Sequence, residues 1–508
     1  MVEEKFVGAI DQGTTGTRFM IFDQNSNLIE AHYQEHKQIF PNPGWVEHDP
    51  IEIWHNTVYV IKETLNKAHT SLGDIVAIGV TNQRETTIVW DRYSGKPIYN
   101  AIVWQCVRTR DICNDLKNQG LDALFKERTG LIIATYFSGP KIRWLLDNIP
   151  GAAEKAEKGD LIFGNIDTWL IWNLTGGTNG GVHITDVSNA SRTLLMNLKT
   201  LKWDTELCDH LQIPEFMLPT IRPSSDKECY GQVTFQGMSG KPPVSGDLGD
   251  QQAALFGQTC FDPGNAKNTY GTGNFLLLNT GNKIVTSKSG LLTTVAYGIG
   301  NDTTYALEGS VAIGGAAIQW LRDELQIIST APESEDLARS VPNNGGVYFV
   351  PAFVGLFSPH WDNTARGTLV GLTRGSGRAH IARAVLESIA FQSLDVFRAM
   401  ENDSGIKLRS LRVDGGASRN NLLMQFQADL LNIECIRPKI EETTALGAAY
   451  AAGLAVDFWE DIDDLREKWV VDRIFKPQMD ENQRNNMIHY WNKAIEKAKG
   501  WIKIKLYY

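Results

Sequence analysis

A short unit of sequence occurs twice in this chain, some 260 residues apart, and it narrows the possible folds more than any other segment. Its first copy is an apolar strand, Phe6 to Asp11, a Gly/Thr turn, Gln12 to Thr17, and a second strand, Arg18 to Asp23. The second copy is the turn Asn268-Thr-Tyr-Gly-Thr-Gly-Asn274 followed by the strand Phe275 to Leu278. Strands flanking so short a turn pair as a β-hairpin. The unit is therefore not a strand-to-helix phosphate loop, and the chain contains neither GxxxxGK[ST] nor a strand-GxGxxG-helix fingerprint. A duplicated hairpin predicts an α/β chain of two related halves, joined near residue 256, between the helix-like Gln251 to Phe256 and the turn Phe261-Asp-Pro-Gly264. The 508 residues suffice for two buried cores. No low-complexity linker marks the join, so the halves are expected to touch.

Other elements follow from capping and periodicity. Asp49-Pro50-Ile-Glu52 supplies an N-cap, a proline at the first helical position and an acid in the first turn. Apolar positions 51, 54, 58, 61, 65 and 68 continue this as an amphipathic helix. Asp74 to Val80 and Thr86 to Trp90 are expected to form a strand pair around the polar turn Thr81-Asn-Gln-Arg-Glu85. Helices are expected over Ile381 to Met400 and Leu422 to Leu431, the latter entered through Asp414-Gly-Gly-Ala-Ser418. His32-Tyr-Gln-Glu35-His36 matches the metal signature HxxEH, but it lies in alternating, strand-like sequence running into Pro41, so its histidines share no helical face. The lysine-rich end, Lys493 to Tyr508, reads as a solvated final helix and a short strand, Trp501 to Tyr508.

Composition excludes several classes of function. With 42% hydrophobic and 21% charged residues the chain is neither disordered nor a disulfide scaffold. A net charge of −10 opposes binding to nucleic acid or to anionic membrane. Cys106, Cys113, Cys208, Cys229, Cys260 and Cys435 are dispersed, without CxxC or zinc-ligand spacing, which fits a reducing cytoplasm. The opening MVEEKFVGAID carries two acids where a secretory leader needs a basic region, so the mature protein is expected to begin here. The run Ala445 to Val456 is too short to cross a bilayer.

The chemistry sits in the turns. Asp11-Gln-Gly-Thr-Thr-Gly-Thr-Arg18 offers a carboxylate, two glycines, three hydroxyls and a guanidinium, a set suited to a metal-bridged phosphate. Gly and Thr also build ordinary tight turns, and the second hairpin is what favours the phosphate reading. Two such hairpins facing each other would clamp a nucleoside triphosphate between the halves. Asp250, after Gly249 at an expected helix N-terminus, is the candidate base.

The segments AIDQGTTGTR, PGWVEHDPIEIW, GVTNQRETT, AIVWQC, DTWLIW, NASRT, GDQQAALFGQ, NTYGTGNF, GGAAIQWLRD, LRVDGGASRNN and ETTALGAAYAAGLA together resemble the FGGY carbohydrate kinases nearly end to end. The resemblance implies two actin-like, ribonuclease-H-like domains, 1–256 and 257–508, with nucleotide and substrate in the cleft between them. It implies ATP-dependent phosphorylation of glycerol to sn-glycerol 3-phosphate, with Mg²⁺, in a cytoplasmic homodimer or homotetramer. Arg84, Glu85, Trp104, Tyr136, Asp250, Gln251 and Phe275 would then hold the polyol, and Asp11 the metal. Thr14, Thr15, Gly16, Arg18 and Thr272 would contact phosphates, while Gly315, Gln319, Gly416, Ala417 and Asn421 would line the adenosine end. A pentulose or other sugar kinase of the same family and a non-catalytic actin-like scaffold are the competing readings. The full polar set around Asp250 speaks against the scaffold. Family members controlled through the segment before GDQQAALFGQ use a histidine or an arginine in a Gly-rich loop. Here Tyr230 to Asp247 has Lys241 as its only cation, so both controls are expected to be weak or absent.

Overall fold

The computed structural model describes residues 5–235 and 239–502. Positions 236–238 of the Tyr230–Asp247 segment, and the expected tail strand from residue 503 on, lie outside them.

The first half is built on a six-stranded sheet. Its strands are β1 (Phe6–Gln12), β2 (Gly16–Phe22), β3 (Leu28–Glu35), β4 (Ile75–Asn82), β5 (Gly231–Gln232) and β6 (Pro243–Gly249), in the order β5-β6-β4-β1-β2-β3. β1, β2 and β3 form an antiparallel meander, while β4 and β6 lie parallel to β1. Parallel central strands are buried on both faces, which is why Phe6–Gln12 alternates between two cores. Ile10, Phe19, Ile21, Ile78 and Val80 meet α1 (Pro50–Lys67) and α2 (Ile166–Leu174). Val7, Ala9, Met20, Phe22, Ala77 and Leu248 face the second half.

The second half repeats this plan. Strands β7 (Asn265–Tyr270), β8 (Asn274–Gly281), β9 (Leu292–Ile299), β10 (Asp302–Val311), β11 (Ser410–Asp414), β12 (Cys435–Pro438) and β13 (Val471–Phe475) run in the order β9-β10-β8-β7-β11-β12-β13. β7 and β8 form the second hairpin, and β11 lies parallel to β7 as β4 does to β1. The helices α3 (Asp250–Gly257) and α4 (Thr443–Ala455) occupy corresponding places after β6 and β12 and pack on each other between the sheets. Gly79 and Gly246 let α4 lie directly on β4 and β6, since a Cβ there would meet Ala448 O at 2.0 Å and Ala452 N at 2.5 Å.

Several expectations need correction. The first hairpin turn is tighter than Gln12 to Thr17, because both strands extend into it and leave Gly13 to Thr15 as its tip. Ile75–Asn82 does not pair with the strand Ile88–Asp91. It is taken up by β1 and β6 through parallel pairing, and Ile88–Asp91 pairs instead with Leu161–Gly164. The cap of α1 is as expected, with Asp49 Oδ1 accepting from the Ile51 N–H at 2.8 Å. Its buried stripe is offset, however, to Ile53, Thr57, Val60, Ile61, Thr64 and Leu65, and Ile51 is exposed. Thr57 and Thr64 satisfy their hydroxyls on the carbonyls four residues back, which is how polar residues join the buried face. His32 lies on β3 beside Lys67 and Tyr59, whereas His36 packs against His48. The expected helices appear as Arg378–Ser404 and α5 (Asn421–Leu431). None of the helices among the described residues is long and apolar enough to cross a membrane.

Candidate active site

Arg84 and Glu85 do not form a solvated surface pair. Both are buried, in a turn where Glu85 has φ +61°, and each is engaged by groups distant in sequence. Arg84 meets Glu308 through two parallel bonds, Nη1 to Oε2 at 2.6 Å and Nη2 to Oε1 at 3.0 Å. Its Nη1 also donates to Gln252 Oε1 at 3.1 Å, and its Nε lies 3.1 Å from Asp250 Oδ1. Glu85 Oε1 accepts from Arg192 Nε at 2.6 Å, and Arg192 Nη2 reaches Glu308 at 3.2 Å. Lys141, buried on the helix Ser138–Asn148, donates to the carbonyls of Tyr136, Phe137 and Glu85 and so ties the walls of the site together.

The aromatic wall continues from this cluster. Tyr136 lies against Trp104 edge to face, with 5.5 Å between ring centroids, and the Arg192 guanidinium stands 5.8 Å from the Tyr136 ring. Trp104 Nε1 donates to Thr14 Oγ1 at 3.0 Å, which joins this aromatic wall to the tip of the first hairpin. Phe275 lies on β8, in register with Thr269 and Ser310. Asp250 opens α3 as expected, with Gly249 at the cap. A Cβ on Gly249 would come within 2.7 Å of the Arg84 side chain, so glycine is required for that approach. Gln251 accepts from Lys267 Nζ, which also donates to Thr269 Oγ1 at 2.9 Å.

At the first hairpin, Arg18 is paired with Glu442 and Thr15 is exposed, its hydroxyl 3.1 Å from the Tyr33 hydroxyl. Gly16 is needed for packing, since a Cβ would lie 2.6 Å from Gln34 O and the Tyr33 ring. At the second hairpin, Thr272 is exposed, and the carbonyls of Gly271 and Thr272 accept from Gly315 N at 2.8 Å and Ala316 N at 3.0 Å. The tip is thereby seated on the N-terminus of the helix Gly315–Asp323, along which Gln319 is exposed. Gly415, at φ +83°, passes against the Tyr270 backbone, and Gly416 beside it faces open space. Ala417 follows in the same turn. Asn421 begins α5 with its N–H on Glu335 at 2.9 Å, and its buried Oδ1 has no partner among the described residues.

Burial and charge set the protonation states. Burial raises the Asp250 pKa, against Arg84 and Lys267, which lower it. Burial pushes Asp11 up to about 7, opposed by Arg18 and reinforced by Glu442 and Asp250. Glu308 would also be raised by burial, but Arg192 and Arg84 outweigh this and hold it at about 2. Lys267 is lowered by burial to about 8, against Asp414 and Asp250. An enclosed carboxylate raised in this way, with a second one adding to the effect, is an environment that a divalent cation would neutralise. Among the described residues no group of three or more His, Cys, Asp or Glu could hold a metal ion. Asp11 is the carboxylate of the site that could hold such a cation.

Four residues of the cluster, Arg192, Gln252, Lys267 and Glu308, are not among the expected site residues. Arg192 and Gln252 lie in the recognisable segments NASRT and GDQQAALFGQ, so a signal was present. Glu308 stands alone between Leu307 and Gly309 in an otherwise apolar stretch, and an acid in such a place is itself an indication of a buried partner.

Residues 6–257 match the N-terminal domain of the FGGY family of carbohydrate kinases, and residues 266–456 match its C-terminal domain. The chain is 59% identical to a glycerol kinase from Caldanaerobacter subterraneus subsp. tengcongensis, over 98% of this chain and 99% of the relative. It is also 59% identical to a glycerol kinase from Chloroflexus aurantiacus, over 98% of this chain and all of the relative. A crystal structure of Plasmodium falciparum glycerol kinase with ADP superposes with a TM-score of 0.93 at 40% identity, covering 99% of each chain.

Proposed function

The chain belongs to the FGGY family of carbohydrate kinases, and we infer on that footing that it transfers the γ-phosphoryl group of ATP to glycerol, giving sn-glycerol 3-phosphate and ADP. One observation carries the reading: the Asp250 carboxylate is ion-paired at 3.1 Å with Arg84 in a buried polar pocket walled by Trp104 and Tyr136. Near 59% identity to curated glycerol kinases over almost the whole chain supports the same substrate. The domains are taken as 1–256 and 257–508.

Glycerol's hydroxyls are held by Arg84, Glu85 and Tyr136, with Gln251 alongside, and its carbons lie against Trp104 and Phe275. Asp250 orients the attacking hydroxyl and takes its proton as the oxygen bonds to the γ-phosphorus. The bond from that phosphorus to the β–γ bridging oxygen breaks, and ADP leaves with the electron pair. Thr14, Thr15, Gly16, Arg18 and Thr272 bear on the phosphates from the two hairpin tips. Gly315, Gln319, Gly416, Ala417 and Asn421 receive the adenosine. Mg²⁺ bound at Asp11 would neutralise charge on the phosphates. The six free cysteines support a cytoplasmic setting. Assembly as a dimer or tetramer belongs to the same reading, and light scattering measures it.

The test is ADP formation by the purified protein over glycerol, dihydroxyacetone, xylulose and ribulose. Glycerol is expected to give the highest kcat/KM. A clear preference for a pentulose would overturn the assignment, and no turnover with any of the four would point to the scaffold.

A further inference from the structure

We propose that Glu308 is a positioning residue of the polyol pocket, a carboxylate carried by the second sheet that holds Arg84 and Arg192 of the first half in their working orientation. The proposal rests on the reading of this pocket as the polyol site.

Glu308 lies in β10, in register with Leu277 on β8 and Leu292 on β9, and its side chain is 4% exposed. A lone carboxylate among such neighbours would be strongly disfavoured. Three charge-assisted hydrogen bonds compensate it, two from Arg84 and one from Arg192. The two-point contact fixes the plane of the Arg84 guanidinium, which a single contact would leave free to rotate. With that plane fixed, Nε is presented to Asp250 and Nη1 also to Gln252. Three of the five N–H groups of this arginine are then hydrogen-bonded, two to Glu308 and one to Gln252, Nε is ion-paired with Asp250 at 3.1 Å, and an N–H on Nη2 is left for a substrate oxygen. Arg192, held by the same carboxylate, presents its Nε to Glu85.

One acid from the second half thus sets two arginines, and through them Glu85 and Asp250, both of the first half. The Arg84 and Glu308 partners are 224 residues apart in sequence. Arginine donors take up Glu308's carboxylate, so it acts through them and not on the substrate. Its charge persists over the working pH range, because the two guanidinium groups keep it ionised.

The experiment uses the full-length protein with Glu308→Gln and Glu308→Asp. The first removes the charge at nearly constant volume. The second keeps the charge but withdraws it by one methylene. Folding is followed by near-ultraviolet circular dichroism, and initial rates are mapped over glycerol and ATP concentrations. Loss of a charge-assisted contact of this kind predicts a glycerol KM raised at least about tenfold in Glu308→Gln, with the ATP KM within about twofold of the parent. Glu308→Asp should fall between parent and Glu308→Gln in glycerol KM. Equal changes in both KM values, or a change in neither, would overturn the proposal. Should Glu308→Gln fail to fold, Glu308→Asp decides alone: a parental glycerol KM refutes, and a selectively raised one supports. The parent enzyme's own turnover of glycerol separately tests the functional reading, and if another polyol proves to be the substrate, the same comparison is made with that polyol.

Discussion

Replacement of Gly447 by alanine perturbs the contact on which the two halves meet. Gly447 lies on α4 where it crosses α3, and a Cβ placed there would come within 1.9 Å of Ala253 O and 2.9 Å of Gly257 N. Both contacts are to backbone, so no rotamer change relieves them. The reciprocal position is equally tight, since a Cβ on Gly257 would lie 2.0 Å from Thr443 O. The helices would have to part by about 1 Å, enough to forfeit a quarter to a half of the dispersion energy of the seam. Overpacking of this sort costs about 3 kcal/mol at the upper end of its range, and the better helix propensity of alanine returns about 1 kcal/mol. The net loss is expected to be about 2 kcal/mol, a fall in Tm of roughly 4–8 °C for a cooperative unit of about 200 residues. Because α3 begins with Asp250, turnover should fall as well. Thermal unfolding and steady-state rates are measured beside Gly377→Ala, where the added Cβ meets nothing within 4 Å and little change is expected. A Gly447→Ala protein with Tm and kcat indistinguishable from those of the control would refute the close crossing.

Asp250→Asn should keep calorimetric ATP affinity while kcat falls by about 10²- to 10⁴-fold; a rate within a factor of about three of the parent removes Asp250 as the base. In the proposed role of base Asp250 acts ionised, and its pKa is raised above the usual carboxylate value, chiefly by burial, so activity should be present above that raised pKa and lost as pH falls through it. The acidic limb of kcat/KM for glycerol therefore lies at higher pH than an exposed aspartate gives, and a limb near pH 4 would contradict this. Arg108 is buried between Trp45 and Trp144, its guanidinium 3.9 and 4.7 Å from their rings and Nη2 2.6 Å from Glu47. Arg108→Ala leaves Glu47 buried and should cost about 3–5 kcal/mol by denaturant unfolding; a loss below about 1 kcal/mol would show that Tyr99 and Asn100 alone satisfy that acid. Lys241 is the only cation in Tyr230–Asp247, so initial rates are expected to change little or not at all with millimolar fructose 1,6-bisphosphate or with a phosphohistidine carrier protein and its phosphate donor. Strong inhibition by the first, or several-fold activation by the second, would locate a control site elsewhere in the molecule.

What could be read from the chain alone were features that close over a few residues. A Gly/Thr turn between apolar strands makes a hairpin, Asp49 before Pro50 caps a helix, and Asp414-Gly-Gly-Ala-Ser418 leads into α5, because in each case the interacting groups are neighbours in sequence. The echo between the hairpins also carried the two-half plan, as one topology built twice repeats its turns. Pairing between distant elements was a different matter. The sequence pairs Asp74 to Val80 with Thr86 to Trp90 just after its turn, yet the strand Ile75–Asn82 has β1 and β6 as partners, the second reached only across the whole insert that follows Asn82. The uncharged, mostly small apolar run of α4 announced burial, but its glycines gained meaning only when α3 and the first sheet lay against them. Glu308 is the clearest instance: it is an isolated charge in its own segment, and only folding brings it onto Arg84 and Arg192. Local hydrogen bonds and side-chain periodicity are written in consecutive residues, whereas the choice of a buried charge's partner depends on which surfaces the tertiary packing excludes from water.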